Sequence, residues 1–191
     1  DKCVEQAKAE FERGVFNENW PLLLLKARLV RGQYQAALEE YEAAINRFPQ
    51  SIGLRLVGHD VYNFVDRTSD AQRQYQEIIS LVQRRAWRYS SSKDRVVLGR
   101  FLVAQGEDAR DILELFYDRA KRSNSRYIET YLATAELALA KHDYQEAAKT
   151  LGTAAEIEPD NPQIHYLLAR AWNSDSEKVA SAVARALELN P

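Results

Sequence analysis

The chain has 191 residues, enough for one ordinary domain or one short repeat array. Its hydrophobic fraction of 46% and charged fraction of 28% exclude a disordered chain, which carries fewer apolar residues. A net charge of -2 leaves no global electrostatic case for nucleic acid or an anionic membrane surface, and no nucleic-acid partner is expected. The longest apolar run, Leu22–Leu25, is far too short to span a bilayer. Cys3 stands alone, so no disulfide within the chain can hold the fold, and packing must do so. There is no methionine even at position 1, which reads as a processed product or an excised piece of a longer protein, and no signal peptide is visible. With seven glycines, five prolines and a predominance of Ala, Leu, Glu, Gln, Arg and Lys, the chain is expected to be all-helical.

Residues 2–14 read as one helix with Val4, Ala7 and Phe11 on its apolar side, either half of a preceding hairpin or a cap. A second helix runs from about Trp20 to Arg31, with Pro21 in its first turn, where proline is tolerated. Next come Tyr34, Ala37, Tyr41, Ala44 and Pro49. Steps of three and four put the first four on one helical face, alanine permits close helix approach, and proline ends the helix. Leu56, His59 and Tyr62, then Ala71, Tyr75 and Ile78, form a second hairpin. Its last helix continues to about Arg88 before Tyr89–Ser92 breaks it. A third hairpin carries Leu98, Gly99 and Leu102, a turn at Gly106, then Ile112, Leu115 and Phe116. In the fourth, Tyr131, Thr134, Ala135 and Ala138 precede Tyr144, Ala147, Leu151, Ala154 and Pro159. In the fifth, Ile164, Leu168, Ala169 and Trp172 precede a short turn near Ser174, then Val179, Val183, Ala186 and Leu187, ending at Pro191.

Two of these stretches superpose without a gap: Tyr34 to Pro49 and Tyr144 to Pro159, 110 residues apart, share Tyr-x-x-Ala-x-x-x-(Tyr or Leu)-x-x-Ala-x-x-x-x-Pro. This skeleton resembles the second helix of a tetratricopeptide repeat, a helical hairpin of roughly 34 residues. The resemblance implies an all-α solenoid of about five such hairpins, wound as a right-handed superhelix. Their expected bounds are 18–51, 52–91, 92–127, 128–161 and 162–191, after an N-terminal helix in 1–17. It also implies a non-catalytic protein–protein interaction scaffold, part of a longer protein, that takes a peptide or protein partner in a concave groove lined by the first helices. Carried across position by position, the groove would hold Leu22, Lys26, Leu56, Asp60, Asn63, Phe64, Val96, Arg100, Leu132, Glu136, Tyr166 and Arg170. At one equivalent position the charge alternates: Lys26, Asp60, Arg100, Glu136, Arg170. That alternation reads either as a salt-bridge ladder, with Arg100 bridging Asp60 and Glu136, or as a charge-patterned binding surface. Leu22 and Leu132 stand where a clamp for a C-terminal carboxylate would want lysine or asparagine, so that mode is not expected.

The third hairpin carries a finer resemblance. Asp94 to Gly106 and Ile112 to Asp118 look like tetratricopeptide arrays upstream of gluzincin-type peptidase domains in bacterial envelope proteins. This implies an alternative role as the regulatory or substrate-presenting arm of a secreted or envelope metallopeptidase. The H-E-x-x-H zinc motif is absent from the sequence, so the catalytic domain would lie outside it.

The residues themselves carry little chemistry. His59, His142 and His165 are far apart in sequence, without the paired spacing a zinc site needs, so no metal and no cofactor are expected. His59 and His165 read as packing residues and His142 as a turn residue. Cys3 has no histidine near it in sequence to activate a thiolate, and no Gly-rich phosphate loop occurs. An enzyme is not expected. One cluster remains: Arg84, Arg85, Trp87, Arg88 and Tyr89, with Lys93 and Arg95 beyond. Such a mixture can stack bases, but cations also suit a helix C-terminus, and on that reading Trp87 is buried against the next hairpin.

Overall fold

The computed structural model describes residues 2–14, 16–173 and 175–190. The expected turn at Ser174, the helix end at Pro191 and the Cys3 side chain fall outside the described residues. Every regular element among the described residues is helical, and the chain divides into two compact units, Asp1–Tyr89 and Ser90–Pro191.

The first unit contains α1 (Lys2–Glu12), α2 (Asn19–Val30), α3 (Tyr34–Arg47), α4 (Ile52–Phe64) and α5 (Thr68–Arg84), then a 3-10 turn over Ala86–Tyr89. Its core is Leu25, Ala37, Tyr41, Ala44, Leu54, Val61 and Ala71, the faces that periods of three and four bring together. Gly58 marks the closest crossing. A Cβ there would lie 2.3 Å from the Tyr41 ring, so the bulk of Tyr41 on α3 requires the bare backbone of α4. The Tyr41 hydroxyl donates to Gln74 Oε1 at 2.7 Å, so this buried phenol is satisfied. Half-buried Arg28 and Glu40 join α2 to α3 at 3.1 Å. Arg47 holds α1 in place by donating to the Phe11 carbonyl at 2.9 Å while lying 5.5 Å from the Phe11 ring.

The second unit contains α6 (Ser92–Gln105), α7 (Ala109–Ile112), a π segment (Leu113–Tyr117), α8 (Asp118–Ser123), α9 (Ile128–Ala140), α10 (Tyr144–Ile157), α11 (Pro162–Ala171) and α12 (Ser176–Leu189). α6 begins with a capping box between Ser91 and Asp94, and α11 with an Asn161 cap ahead of Pro162. Ala147, Leu151 and Ala154 of α10 are fully buried among Leu132, Ala135 and Leu139 of α9 and Ile164 and Leu168 of α11.

Four inter-helix turns within residues 30–144 share one geometry. A residue with positive φ follows the first helix: Gly32 (68°), Asp66 (59°), Gly106 (79°) and His142 (59°). The next residue donates its N–H to the carbonyl five positions back: Gln33 to Arg28, Arg67 to Tyr62, Glu107 to Leu102 and Asp143 to Ala138. This is the Schellman closure, which satisfies carbonyls that a helix end leaves open.

Three expectations need correction. α5 stops at Arg84 and not near Arg88, because Arg85 leaves helical geometry at φ -149°. The aromatic that turns inward is Tyr89, buried and donating to the Gln50 carbonyl at 3.1 Å, whereas Trp87 is 76% exposed. In the second arm of the third hairpin the buried residues are Ile112, Tyr117 and Ala120, with Leu115 exposed. The π segment adds a residue to the turn, so the inward step after Ile112 is five residues instead of three or four. Tyr117 then packs on Gly99, where a Cβ would lie 2.2 Å from its ring.

Candidate partner-binding faces

In the second unit the first helices of the hairpins are α6, α9 and α11, and polar side chains link them. Arg100 of α6 reaches Glu129 at 2.8 Å and Glu136 at 3.2 Å, both on α9. Glu136 also accepts from Gln163 of α11 at 3.3 Å. Burial alone would lower the Arg100 pKa, but the Glu136 and Glu129 carboxylates outweigh it and raise the value, so the guanidinium stays charged. Both of these carboxylates come from α9, and Glu136 is one of the two partners expected for Arg100. One turn along α11 from Gln163, Tyr166 is 56% exposed, and the Arg170 guanidinium lies 5.9 Å from its ring centre.

Two residues expected on this face belong to the core. Val96 and Leu132 are each only 1% exposed. Each sits on its helix toward the adjoining helix, packed among apolar side chains, so neither presents a surface.

In the first unit, Lys26, Asp60, Asn63 and Phe64 are exposed, while Leu22 and Leu56 are half-buried. Leu22 packs over Gly53 of α4. Phe64 is 52% exposed and stacks on Tyr34 with ring centres 4.6 Å apart. His59 stacks on Tyr75 at 3.7 Å and also contacts Asp60 and Asn63. The structure therefore brings together Asp60, Asn63 and His59 in the first unit, and Arg100 and Glu136 in the second.

Sequence reasoning missed the partners Glu129 and Gln163. Both lie one turn before a candidate position on the same helix, and that spacing was the signal available. It also missed what His165 does. Its Nε2 lies 2.7 Å from the carbonyl oxygen of Pro159, the residue that ends the hairpin before it. Among the described residues no three His, Cys, Asp or Glu side chains converge as a metal site would require.

Residues 138–173, which span the end of α9, α10 and α11, match the model of the tetratricopeptide repeat. A thermophilic tetratricopeptide protein of Thermus thermophilus is 26% identical, with 92% of each chain covered and a TM-score of 0.62. The chain carries a tetratricopeptide repeat over residues 138–173 and has the tetratricopeptide fold. PilW, a widely conserved type IV pilus biogenesis factor, shares the repeat fold at 15% identity, over 90% of this chain and 77% of its own, with a TM-score of 0.57. BtubC from P. vanneervenii does so at 16% identity, over 98% and 87%, with a TM-score of 0.53. No curated protein matches the sequence. The tetratricopeptide fold, an all-α helical-repeat solenoid, is consistent with a protein–protein interaction scaffold.

Proposed function

We propose that this tetratricopeptide protein is a non-catalytic scaffold whose five hairpins, bounded as the sequence indicates, present their first helices to an extended peptide. The observation that carries the reading is the division of labour on the face of α6, α9 and α11. Arg100, Glu129, Glu136 and Gln163 occupy one another. Tyr166 and Arg170 stand exposed beside them, an aromatic and a cation of the kinds enriched where partners bind tightly. The first group aligns the helices and the second contacts the partner. Peptides selected from a displayed library against the intact protein, then measured by fluorescence anisotropy, test this. Tyr166→Ala and Arg170→Glu should each weaken the selected peptides about tenfold or more, with melting unchanged. A library that yields no binder, or binders indifferent to both changes, sinks the reading.

A further inference from the structure

Apart from the buried Tyr89, the Arg84–Tyr89 turn is used neither by the core nor by the first-helix faces. Its backbone is fixed at both ends. Arg85 caps α5 by donating to Leu81, Arg88 N–H donates to the Arg85 carbonyl at 3.0 Å, and the buried Tyr89 hydroxyl is tied to Gln50 at 3.1 Å. Trp87 lies inside this braced turn and is 76% exposed, with exposed Arg84, Arg85 and Arg88 around it. A helix C-terminus accounts for Arg84, which interacts favourably with the negative end of the helix. It does not account for a tryptophan held in water, since burying so large a ring is strongly favourable. No acidic residue occurs between Glu77 and Asp94, so the local charge is positive and uncompensated along the chain.

We propose that this turn is a docking site for an acidic protein segment, which lays an apolar or aromatic side chain on Trp87 and its carboxylates on Arg84, Arg85 and Arg88. Guanidinium groups pair with carboxylates in forked geometry, and Trp and Arg are the residues most enriched at the centres of tight interfaces. The bracing removes most of the ordering cost that a free loop would carry into binding. A nucleic acid fits less well. It needs a basic track running along a phosphate backbone, whereas here three arginines cluster on one turn of a chain whose net charge is -2.

A subtractive selection tests the site. A displayed peptide library is first cleared on the Trp87→Ala/Arg88→Ala variant, then selected on the unaltered protein, so that retained peptides need this turn. They should be rich in Asp and Glu around one aromatic or apolar residue. They should lose tenfold or more in affinity to Trp87→Ala, lose affinity again as salt rises, and ignore Tyr166→Ala. Because Trp87 is exposed, the variants should melt as the parent does, which separates lost binding from lost folding. No retained peptide, or retained peptides that are neutral or basic, would overturn the proposal. So would an oligothymidylate that binds the turn more tightly than any peptide, which would assign it to single-stranded nucleic acid instead.

Discussion

Residues 34–62 of the first unit and 144–172 of the second run in register, 110 residues apart, and keep one architecture by different means. Ala37 and Ala147, Ala44 and Ala154, and Leu54 and Ile164 are all fully buried. Elsewhere the chemistry changes while the role persists. Tyr41 packs against Gly58 in the first copy, and the same two positions in the second are Leu151 and Leu168, both in one core cluster. Arg55 donates to the Pro49 carbonyl at 2.9 Å, and its counterpart His165 contacts the Pro159 carbonyl at 2.7 Å. What recurs is a filled crossing and a hydrogen bond on the carbonyl that closes the hairpin, and several residue pairs can supply either.

The largest expected effect comes from mixing the two solutions. Gly58→Val pushes a branched side chain into the Tyr41 ring, which has no open side to move toward, and should cost about 3 kcal/mol by overpacking. Adding Tyr41→Leu should recover a substantial part, because it rebuilds the medium–medium pairing of Leu151 and Leu168. Urea melts of both single variants and the double variant give the coupling directly. Strict additivity would show that the two positions do not exchange volume, and the comparison would fail.

The next effect follows from the buried phenols. Burial pushes Tyr117 up to about 12 and raises Tyr41 well above its ordinary value, whereas the second copy has Leu151 in the place of Tyr41. A tyrosine with a raised folded pKa contributes stability that is complete below its unfolded value, about 10, and is lost as pH climbs through the folded value. Stability should therefore hold to about pH 9 and fall between pH 10 and 12, by about 2 kcal/mol for Tyr117 alone at pH 12. Phenolate absorbance followed alongside circular dichroism should show these groups ionising only as the helices melt. Early ionisation of every tyrosine in a folded protein would contradict the burial.

The tetratricopeptide skeleton was legible because Tyr34 to Pro49 and Tyr144 to Pro159 repeat residue types as well as spacing. Where a role passes to a different residue type, the sequence is silent. Nothing in His165 resembles Arg55, and only two of the four Schellman turns carry the glycine that would announce them. The π segment was hidden for another reason. Ile112, Leu115 and Phe116 fit an ordinary helical face, and only packing against Gly99 selects Tyr117 in place of Leu115. Of the face residues, the charged ones at the shared position were assigned by counting. Val96 and Leu132 were misplaced because residues one turn apart on a helix, as Val96 is from Arg100 and Leu132 from Glu136, differ too little in angle for counting to separate groove from core.

A smaller effect tests the polar row, present in the second unit between α6 and α9. Arg100→Glu would set a third carboxylate beside Glu129 and Glu136. The site is partly exposed, which reduces the cost below that of a fully buried broken pair, to about 2 kcal/mol. Glu136→Arg in the same chain should restore part of the loss, and about 1 M salt should shrink both changes. An Arg100→Glu protein that melts as the parent does would show that the row contributes nothing to alignment of the helices, and would return Arg100 to the partner-contacting group.

The smallest effect concerns the turns, where the two copies differ at one position: Gly32 in the first and His142 in the second, both with positive φ. A side chain in the left-handed region costs roughly 1 kcal/mol, and glycine escapes that cost at the expense of a more flexible unfolded chain. His142→Gly should therefore stabilise by only about 0.5 kcal/mol. The contact it loses, from His142 to the Tyr144 hydroxyl at 3.1 Å, is exposed and worth little. Asp66→Gly should gain less, because aspartate tolerates this region better than most residues. Gly106→Ala should lose about 1 kcal/mol, since no neighbouring atom obstructs the new methyl and the whole cost falls on the backbone. A ranking in which Gly106→Ala is neutral would mean that the turn relaxes to an ordinary φ without loss. The shared closure would then be a by-product of helix packing and not a determinant of where each hairpin turns.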